Sequence, residues 1–138
     1  MVTTNLDIDL LRQAFSDRLV GSHIAYYDQI GNTMDEASNL VQRGTPEGTV
    51  VIAEEQMSGR GRFGRNWISP RSQNLSFSVV LMPTRAQLPY VNMAATMAVS
   101  KAVEQVTGVA PVIKWPNDVL INKRKVSGIL IETVVEAG

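Results

Sequence analysis

The sequence predicts an α+β fold in which helices pack on a mixed, mainly antiparallel sheet. Helix-type and strand-type hydrophobic patterns follow one another without strict alternation and without segregation into two halves, which favours a mixed sheet. The last two strand patterns are separated by a two-residue turn, which is typical of an antiparallel hairpin. With 138 residues and 44% hydrophobic side chains, the chain is long enough for one domain with its own core.

The first half of the chain predicts two helices and two strands. Apolar side chains in the first helix recur on one face, and two aspartates lie near its positive dipole end. The second helix is capped by Asn32 or Thr33. The predicted elements are a helix over residues 7–19, a strand over residues 23–31, a helix from that cap through Arg43, and a buried strand over residues 48–55.

The second half predicts a loop, a long helix and four strands. Residues 56–66 are polar and rich in glycine, so we expect a loop there. Alanines and methionines surround the helix predicted over residues 90–107, so we expect it to be largely buried. Pro83 ends the first of the four predicted strands, and a Lys123-Arg124 turn precedes the last. The predicted strands are residues 75–82, residues 112–115, residues 119–122 and residues 126–135.

Composition excludes several function classes. The sequence has no cysteine and one histidine, which removes disulfides, cysteine-based zinc sites and thiol nucleophiles. Thirteen basic and thirteen acidic residues leave no net charge, so we expect neither a nucleic-acid nor a membrane partner. Apolar runs are short and the N-terminus has no signal-peptide pattern, so we expect a cytoplasmic protein.

The most unusual segment is rich in arginine and glycine and covers residues 56–67. From residue 56 to residue 71 there are four arginines and no acidic side chain. Glycine allows a close backbone approach to a ligand, and arginine binds phosphate or carboxylate with two parallel hydrogen bonds. A solvated basic loop is one alternative interpretation. Another is a nucleic-acid segment in which Phe63 and Trp67 stack on bases.

Two further segments contain polar residues at strand ends. Residues 114–118 read Lys-Trp-Pro-Asn-Asp, which also fits a turn with a buried tryptophan. Lys125 precedes an apolar strand that Gly128 interrupts, and it also fits a surface lysine. With the arginine–glycine segment, these residues supply cations and backbone N–H groups without a catalytic acid–base pair. Such a set suits phosphoryl or adenylyl transfer, which depends on positioning and charge stabilisation.

Four segments together resemble biotin protein ligases in order and spacing. They are residues 32–37, residues 56–67, residues 114–118 and residues 125–130, and the resemblance runs from about Tyr26 to Glu132. It implies the fold shared by class II aminoacyl-tRNA synthetases and biotin ligases. It also implies that ATP, Mg²⁺ and biotin form biotinoyl-5′-AMP. The biotinyl group would then pass to a lysine of a biotin carboxyl carrier domain of acetyl-CoA carboxylase or a related carboxylase.

The resemblance implies a role for each matching residue. Lys125 and Arg62 would be catalytic, and Asp118 would contact Mg²⁺. Thr33 and Gln56 would hydrogen-bond the ureido ring of biotin. The implied biotin-binding residues are Asn32, Thr33, Met34, Gln56, Gly59, Arg60, Gly61, Arg62, Lys125 and Gly128. The implied ATP-binding residues are Arg60, Arg62, Arg65, Trp67, Lys114, Asn117 and Asp118.

The sequence also departs from the family pattern. Asn32 stands where the family often has serine, and Met34 where it often has asparagine. We expect residues 1–138 to be a catalytic domain that is incomplete at its C-terminus, without a preceding DNA-binding domain or a following small barrel domain. A homodimer is compatible with the resemblance. The alternatives are a non-catalytic biotin-binding fragment and a lipoate or octanoate ligase-type acyltransferase of the same fold.

Overall fold

The computed structural model describes residues 5–134, which cluster into two compact units. Unit 1 extends to Met82 and unit 2 begins at Pro83. The predicted combination of helices with a mainly antiparallel sheet is confirmed, although the strands form two three-stranded sheets. The last strand, predicted over residues 126–135, is shorter than predicted and ends at Gly128, and residue 135 lies outside the described residues.

Unit 1 contains a mixed three-stranded sheet and two helices. Its elements are α1 (Ile8–Phe15), β1 (Ile24–Ile30), α2 (Thr33–Gln42), β2 (Val50–Gln56), a 3₁₀ turn at Arg62–Gly64, and β3 (Ser76–Val79). The strand order is β1-β2-β3, with β1 and β2 parallel and β3 antiparallel to β2. Because β1 and β2 run the same way, both end at the same edge of the sheet.

The core of unit 1 lies between α2 and the sheet. Ala37 of α2, Val51 of β2 and Val80 after β3 are buried together. Burying a valine side chain stabilises a fold by about 1.5–3 kcal/mol, so these contacts fix α2 on the sheet. The predicted cap is confirmed at Asn32, whose Oδ1 accepts a 2.8 Å hydrogen bond from the Met34 N–H.

Helix α1 ends four residues before the predicted position. The helix stops at Phe15, and the chain then turns towards the region that precedes β2. There the Gly21 N–H donates to the Gly48 carbonyl at 2.9 Å, and the Leu19 carbonyl lies against Gly48. This tertiary contact competes with the helical pattern, which extends to Leu19 in the sequence.

Unit 2 consists of a helix and a three-stranded antiparallel sheet. Its elements are α3 (Leu88–Thr107), β4 (Val112–Lys114), β5 (Asp118–Ile121) and β6 (Arg124–Gly128), and the strand order is β4-β5-β6. Asn122 and Lys123 form the turn between β5 and β6, with φ values of 48° and 63°. The turn lies one residue earlier than the predicted Lys123-Arg124 pair, because two left-handed residues suit the twist of a hairpin.

Helix α3 is more exposed than predicted. Thr96 is buried, but Tyr90, Met93 and Met97 are 62%, 52% and 46% exposed. A three-stranded sheet covers one side of a helix, and α3 contacts β4 and β5 on that side. Within the described residues, no helix, α3 included, has the length and apolar character to cross a membrane.

Because of the backbone conformation at Gly48, we expect substitution of this residue to destabilise the fold strongly. Gly48 has φ +84°, and an added Cβ would lie 1.9 Å from the Leu19 carbonyl oxygen. Gly44 has a similar φ of +79°, but an added Cβ there would meet no atom within 4 Å. We expect Gly44→Ala to lower the free energy of unfolding by about 1–2 kcal/mol. Gly48→Ala should lower it by about 2–5 kcal/mol.

Urea denaturation of the parent and both variants tests this prediction. Gly44→Ala is the matched control, since it adds the same methyl group at a similar positive φ. Equal losses in the two variants would show that the Leu19 carbonyl does not constrain Gly48.

Candidate functional site

The parallel pairing of β1 and β2 brings two predicted segments together. Ile30 and Gln56, the last residues of the two strands, are partners in the register. Beyond them, the Met57 N–H donates to the Ile30 carbonyl at 2.9 Å, and the Ser58 N–H donates to the Gly31 carbonyl at 2.8 Å. The start of α2 and the start of the arginine–glycine segment therefore lie side by side.

Thr33 and Gln56 contact each other directly at this edge. The Thr33 N–H and hydroxyl both donate to Gln56 Oε1, at 2.9 and 3.0 Å. A backbone N–H can only donate, so the carboxamide oxygen must face Thr33 and Nε2 must face away from it. Nε2 points towards Gly59, where an added Cβ would lie 3.2 Å away. The site therefore presents two amide N–H donors beside Gly59.

Asn32 connects the helix start to the loop. Its Oδ1 caps α2 through the Met34 N–H, and its Nδ2 donates to the Ser58 carbonyl at 3.1 Å. The side chain is 5% exposed. Asn32 and the Met34 N–H thus have partners inside the protein, and their contact with biotin remains a prediction.

The arginine–glycine segment has more regular structure than the predicted loop. Two isolated bridges pair Gln56 with Ser69 and Arg60 with Asn66 in antiparallel register. Between these bridges, the Trp67 N–H donates to the Gly59 carbonyl at 2.9 Å. An added Cβ at Gly59 would lie 2.5 Å from the Trp67 carbonyl oxygen, so the two arms approach too closely for a side chain.

The four arginines of this region have different environments. Arg60 forms an ion pair with Asp35 of α2 at 2.7 Å. The Arg62 guanidinium lies 4.9 Å from the centroid of the Phe63 ring, which is 83% exposed at the tip of the segment. The Arg65 N–H donates to the Arg62 carbonyl and closes the 3₁₀ turn.

Arg71 lies in a turn before β3 and contacts the sheet through its side chain. Its guanidinium binds both carboxylate oxygens of Asp28 in β1, at 2.6 and 2.5 Å, and the Asp28 carbonyl at 3.2 Å. The basic cluster seen in the sequence therefore separates into three arginines on the segment and one that holds the chain after the segment against β1.

An open groove of about 450 Å³ lies at the base of the segment. It is lined by residues 55–59 on one arm and residues 66–70 on the other, which include Gln56, Gly59 and Trp67. Small-ligand sites combine apolar walls with a few fixed polar groups, and Gln56 supplies such polar groups to this open groove.

In unit 2, the structure brings together the predicted residues Lys125 and Asp118. Lys125 Nζ lies 2.8 Å from Asp118 Oδ1 across the β5–β6 hairpin. That oxygen is buried, and the contact is an ion pair by distance rather than a well-aligned hydrogen bond. Asp118 is also the register partner of Gly128 and of Lys114, so all four predicted residues lie on adjoining strands.

The turn before β5 is fixed by two asparagines. Asn117 Nδ2 donates to the Ile129 carbonyl at 3.0 Å, and Asn92 Nδ2 donates to the Pro116 carbonyl at 2.8 Å. Trp115 is 82% exposed, so the alternative interpretation of this turn as a buried tryptophan anchor is wrong.

The residues near Asp118 do not form a resident metal site. Asp118 offers one carboxylate, and the ammonium of Lys125 already lies beside it. Residues 5–134 contain no group of three or more histidine, cysteine, aspartate or glutamate side chains that could hold a metal ion. Mg²⁺ usually binds proteins through one or two carboxylates together with substrate phosphates. The predicted Mg²⁺ contact of Asp118 therefore remains a prediction that requires a bound nucleotide.

Sequence reasoning missed Ser78, a buried hydroxyl next to the Thr33–Gln56 pair. Ser78 Oγ lies 2.9 Å from Thr33 Oγ1. In β3, Ser76 and Ser78 are 8% exposed, whereas the intervening Phe77 is 47% exposed. The alternation of serine with larger apolar residues in this strand could have indicated the site, because serines that face inward need hydrogen-bond partners.

The fold and these sites define the class of protein. The chain belongs to the biotin/lipoate A/B protein ligase family, whose model matches residues 26–137. Within this family, the predicted resemblance to the catalytic domain of biotin protein ligases is confirmed by individual relatives and solved structures.

Two curated relatives illustrate the similarity. The chain is 36% identical over 128 residues to the bifunctional ligase/repressor BirA of Bacillus subtilis, covering 91% of this chain and 39% of that protein. It is 33% identical over 133 residues to the biotin–[acetyl-CoA-carboxylase] ligase of Mycobacterium tuberculosis, covering 87% of this chain and 50% of that protein. The chain therefore spans half or less of the length of these relatives.

Solved structures agree with the sequence relatives. The biotin protein ligase of Leishmania major in complex with biotinyl-5-AMP matches with a TM-score of 0.71 and 28% identity, over 81% of this chain and 52% of that one. The biotin protein ligase of Aquifex aeolicus in complex with biotin and ATP matches with a TM-score of 0.65 and 34% identity, over 80% of this chain and 47% of that one.

The Asp28–Arg71 pair predicts a pH-dependent stability. The hydrogen bonds from Arg71 lower the pKa of the Asp28 carboxyl below its ordinary value. A carboxyl with a lowered pKa stabilises the folded state above its unfolded pKa of about 3.9, and this contribution is lost as the pH falls through the folded-state value. We therefore expect Asp28→Asn to lower the melting temperature at pH 7, by an amount that shrinks as the pH falls below about 4.

Thermal melts of the parent and Asp28→Asn between pH 7 and pH 2.5 test this prediction. Asp17→Asn, at an exposed aspartate of the same unit, controls for the loss of one negative charge. A difference that stays constant over the whole range would contradict the role of the Arg71 pair.

Proposed function

We propose that this chain activates biotin with ATP to form biotinoyl-5′-AMP and then transfers the biotinyl group to a lysine of a biotin carboxyl carrier domain. Acetyl-CoA carboxylase or a related carboxylase would supply that domain, and residues 1–138 would belong to the catalytic domain. The observation that carries the proposal is the Thr33–Gln56 pair beside Gly59, at the base of the arginine–glycine segment. Support comes from the relatives described above.

The chemistry of the Thr33–Gln56 pair suits the ureido ring of biotin. A ureido group offers one carbonyl acceptor and two N–H donors. Gln56 Nε2 would donate to the carbonyl oxygen, and a second lone pair of Thr33 Oγ1 would accept from a ring N–H. An apolar ring of similar size would leave these Gln56 and Thr33 groups without a partner, at a cost of about 1–3 kcal/mol for each buried group, so the pair favours biotin.

The first chemical step joins biotin to AMP. A carboxylate oxygen of biotin attacks the α-phosphorus of ATP, the bond from that phosphorus to the bridging oxygen breaks, and pyrophosphate leaves with the electron pair. Arg62 and Lys125 would stabilise the negative charge that develops on the α-phosphate. Arg60, Arg65, Trp67, Lys114, Asn117 and Asp118 would contribute nucleotide contacts, and Mg²⁺ would bind with the phosphates of ATP.

The second step transfers biotin to the carrier. The neutral amine of the carrier lysine attacks the carbonyl carbon of the adenylate, the C–O bond to the phosphate breaks, and AMP leaves while the nitrogen loses one proton. This step needs a mixed anhydride that is protected from water until the carrier arrives.

The decisive experiment is biotinylation of a carrier domain with and without ATP, read by avidin blot together with pyrophosphate release. ATP-dependent labelling is the expected result. Biotin binding without pyrophosphate release would instead support the non-catalytic fragment, and preferential transfer of lipoate or octanoate would support the acyltransferase alternative.

Lys125 gives a sharper prediction for the first step. We expect Lys125→Gln to slow pyrophosphate release by about 10²–10³-fold, because it removes a cation from the developing phosphate charge. Lys123→Gln is the matched control, since it removes the same charge two residues away in the β5–β6 turn. Circular dichroism of both variants checks the fold. If Lys125→Gln releases pyrophosphate at a rate within threefold of the parent's, which corresponds to about 0.7 kcal/mol in activation free energy, the role of Lys125 is contradicted.

A further inference from the structure

The hydrogen bond between Thr33 and Ser78 has a direction that the neighbouring bonds determine. Thr33 Oγ1 carries one proton, and Gln56 Oε1 at 3.0 Å can only accept it. The proton between Thr33 Oγ1 and Ser78 Oγ, which are 2.9 Å apart, must therefore come from Ser78. The result is a directed chain in which Ser78 donates to Thr33 and Thr33 donates to Gln56.

The surroundings hold this chain in place. Thr33 and Ser78 are 4% and 8% exposed, so water competes poorly for their hydroxyl groups. Ser78 is fixed by β3, where it is the register partner of Val51 in the core of unit 1. Thr33 is fixed as the first residue of α2.

We propose that Ser78 is a positioning residue that orients the Thr33 hydroxyl and so strengthens the hold of Thr33 on Gln56 in the biotin site. Ser78 occupies one lone pair of Thr33 Oγ1 and commits the Thr33 proton to Gln56. The Thr33 N–H already turns the Gln56 oxygen towards Thr33, and the oriented Thr33 hydroxyl adds a second bond that holds the amide N–H groups towards Gly59, where they match a carbonyl acceptor. The inference rests on the proposed function for the identity of the ligand, whereas the hydrogen-bond chain exists without it.

The chain offers a matched control in the same strand. Ser76 is as buried as Ser78, and its hydroxyl bonds to Ser69 rather than to Thr33. We expect Ser78→Ala to raise the Kd and the KM for biotin on the order of tenfold, since a neutral hydrogen bond is lost. The KM for ATP and the kcat of pyrophosphate release should stay within twofold of the parent, and Ser76→Ala should stay within twofold throughout.

A double-mutant cycle separates positioning from a general packing effect. If Ser78 acts through the Thr33 hydroxyl, Ser78→Ala should change the Kd for biotin less than twofold in a Thr33→Ala background. The same tenfold loss in both backgrounds, or a loss below twofold in the parent background, would overturn the proposal.

Nuclear magnetic resonance of the ligand-free protein tests the hydrogen-bond chain independently of biotin. Ser78→Ala should shift the side-chain amide resonances of Gln56 and the backbone amide of Thr33, and Ser76→Ala should leave both in place. Unchanged Gln56 resonances in Ser78→Ala would overturn the proposal. A parent protein that neither binds biotin nor releases pyrophosphate would overturn the proposed function alone.

Discussion

The parallel pairing of β1 with β2 is the constraint on which the site in unit 1 depends. Parallel strands place their carboxyl ends at one edge of a sheet, and here Ile30 and Gln56 end the two strands as register partners. The cap of α2 follows one strand and the arginine–glycine segment follows the other. Asn32 and Thr33 can therefore bond to Ser58 and Gln56, although more than 20 residues separate them along the chain.

In each unit, the polar groups of the candidate site largely bond to one another. In unit 1, Thr33 bonds Gln56 and Ser78, and Asn32 bonds Met34 and Ser58, whereas in unit 2 Lys125 pairs with Asp118. Buried polar groups without partners destabilise a fold, so these internal bonds keep the site in shape before a ligand arrives. In the proposed function, Gln56 Nε2 would meet a ligand already oriented, whereas Lys125 would exchange Asp118 for an anionic group of the ligand.

The sequence predicted the order of elements well and their ends less well. The cap was predicted at Asn32 or Thr33 because capping chemistry is local, and the structure places it at Asn32. The family resemblance implied that Thr33 and Gln56 share a ligand, but their direct contact came only from the structure. The early end of α1 was not predicted, because its cause is a contact between Leu19 and Gly48 that lies far from the helical pattern. The exposure of α3 was mispredicted for a related reason, since periodicity shows which residues are apolar but not what covers them.

By itself, the sequence determined the residue types of the site and their order, because motif spacing and capping chemistry are local properties. The tertiary structure decided how the same residues are paired. It assigned Arg71 to Asp28 and Arg60 to Asp35, although both arginines belong to one basic stretch of sequence. It also placed Ser78 behind Thr33, because the register of β3 on β2 turns two serines inward. Which arginine pairs with which carboxylate, and which hydroxyl donates to which, depends on distances between segments that are remote in sequence. These pairings are therefore known only once the chain is folded.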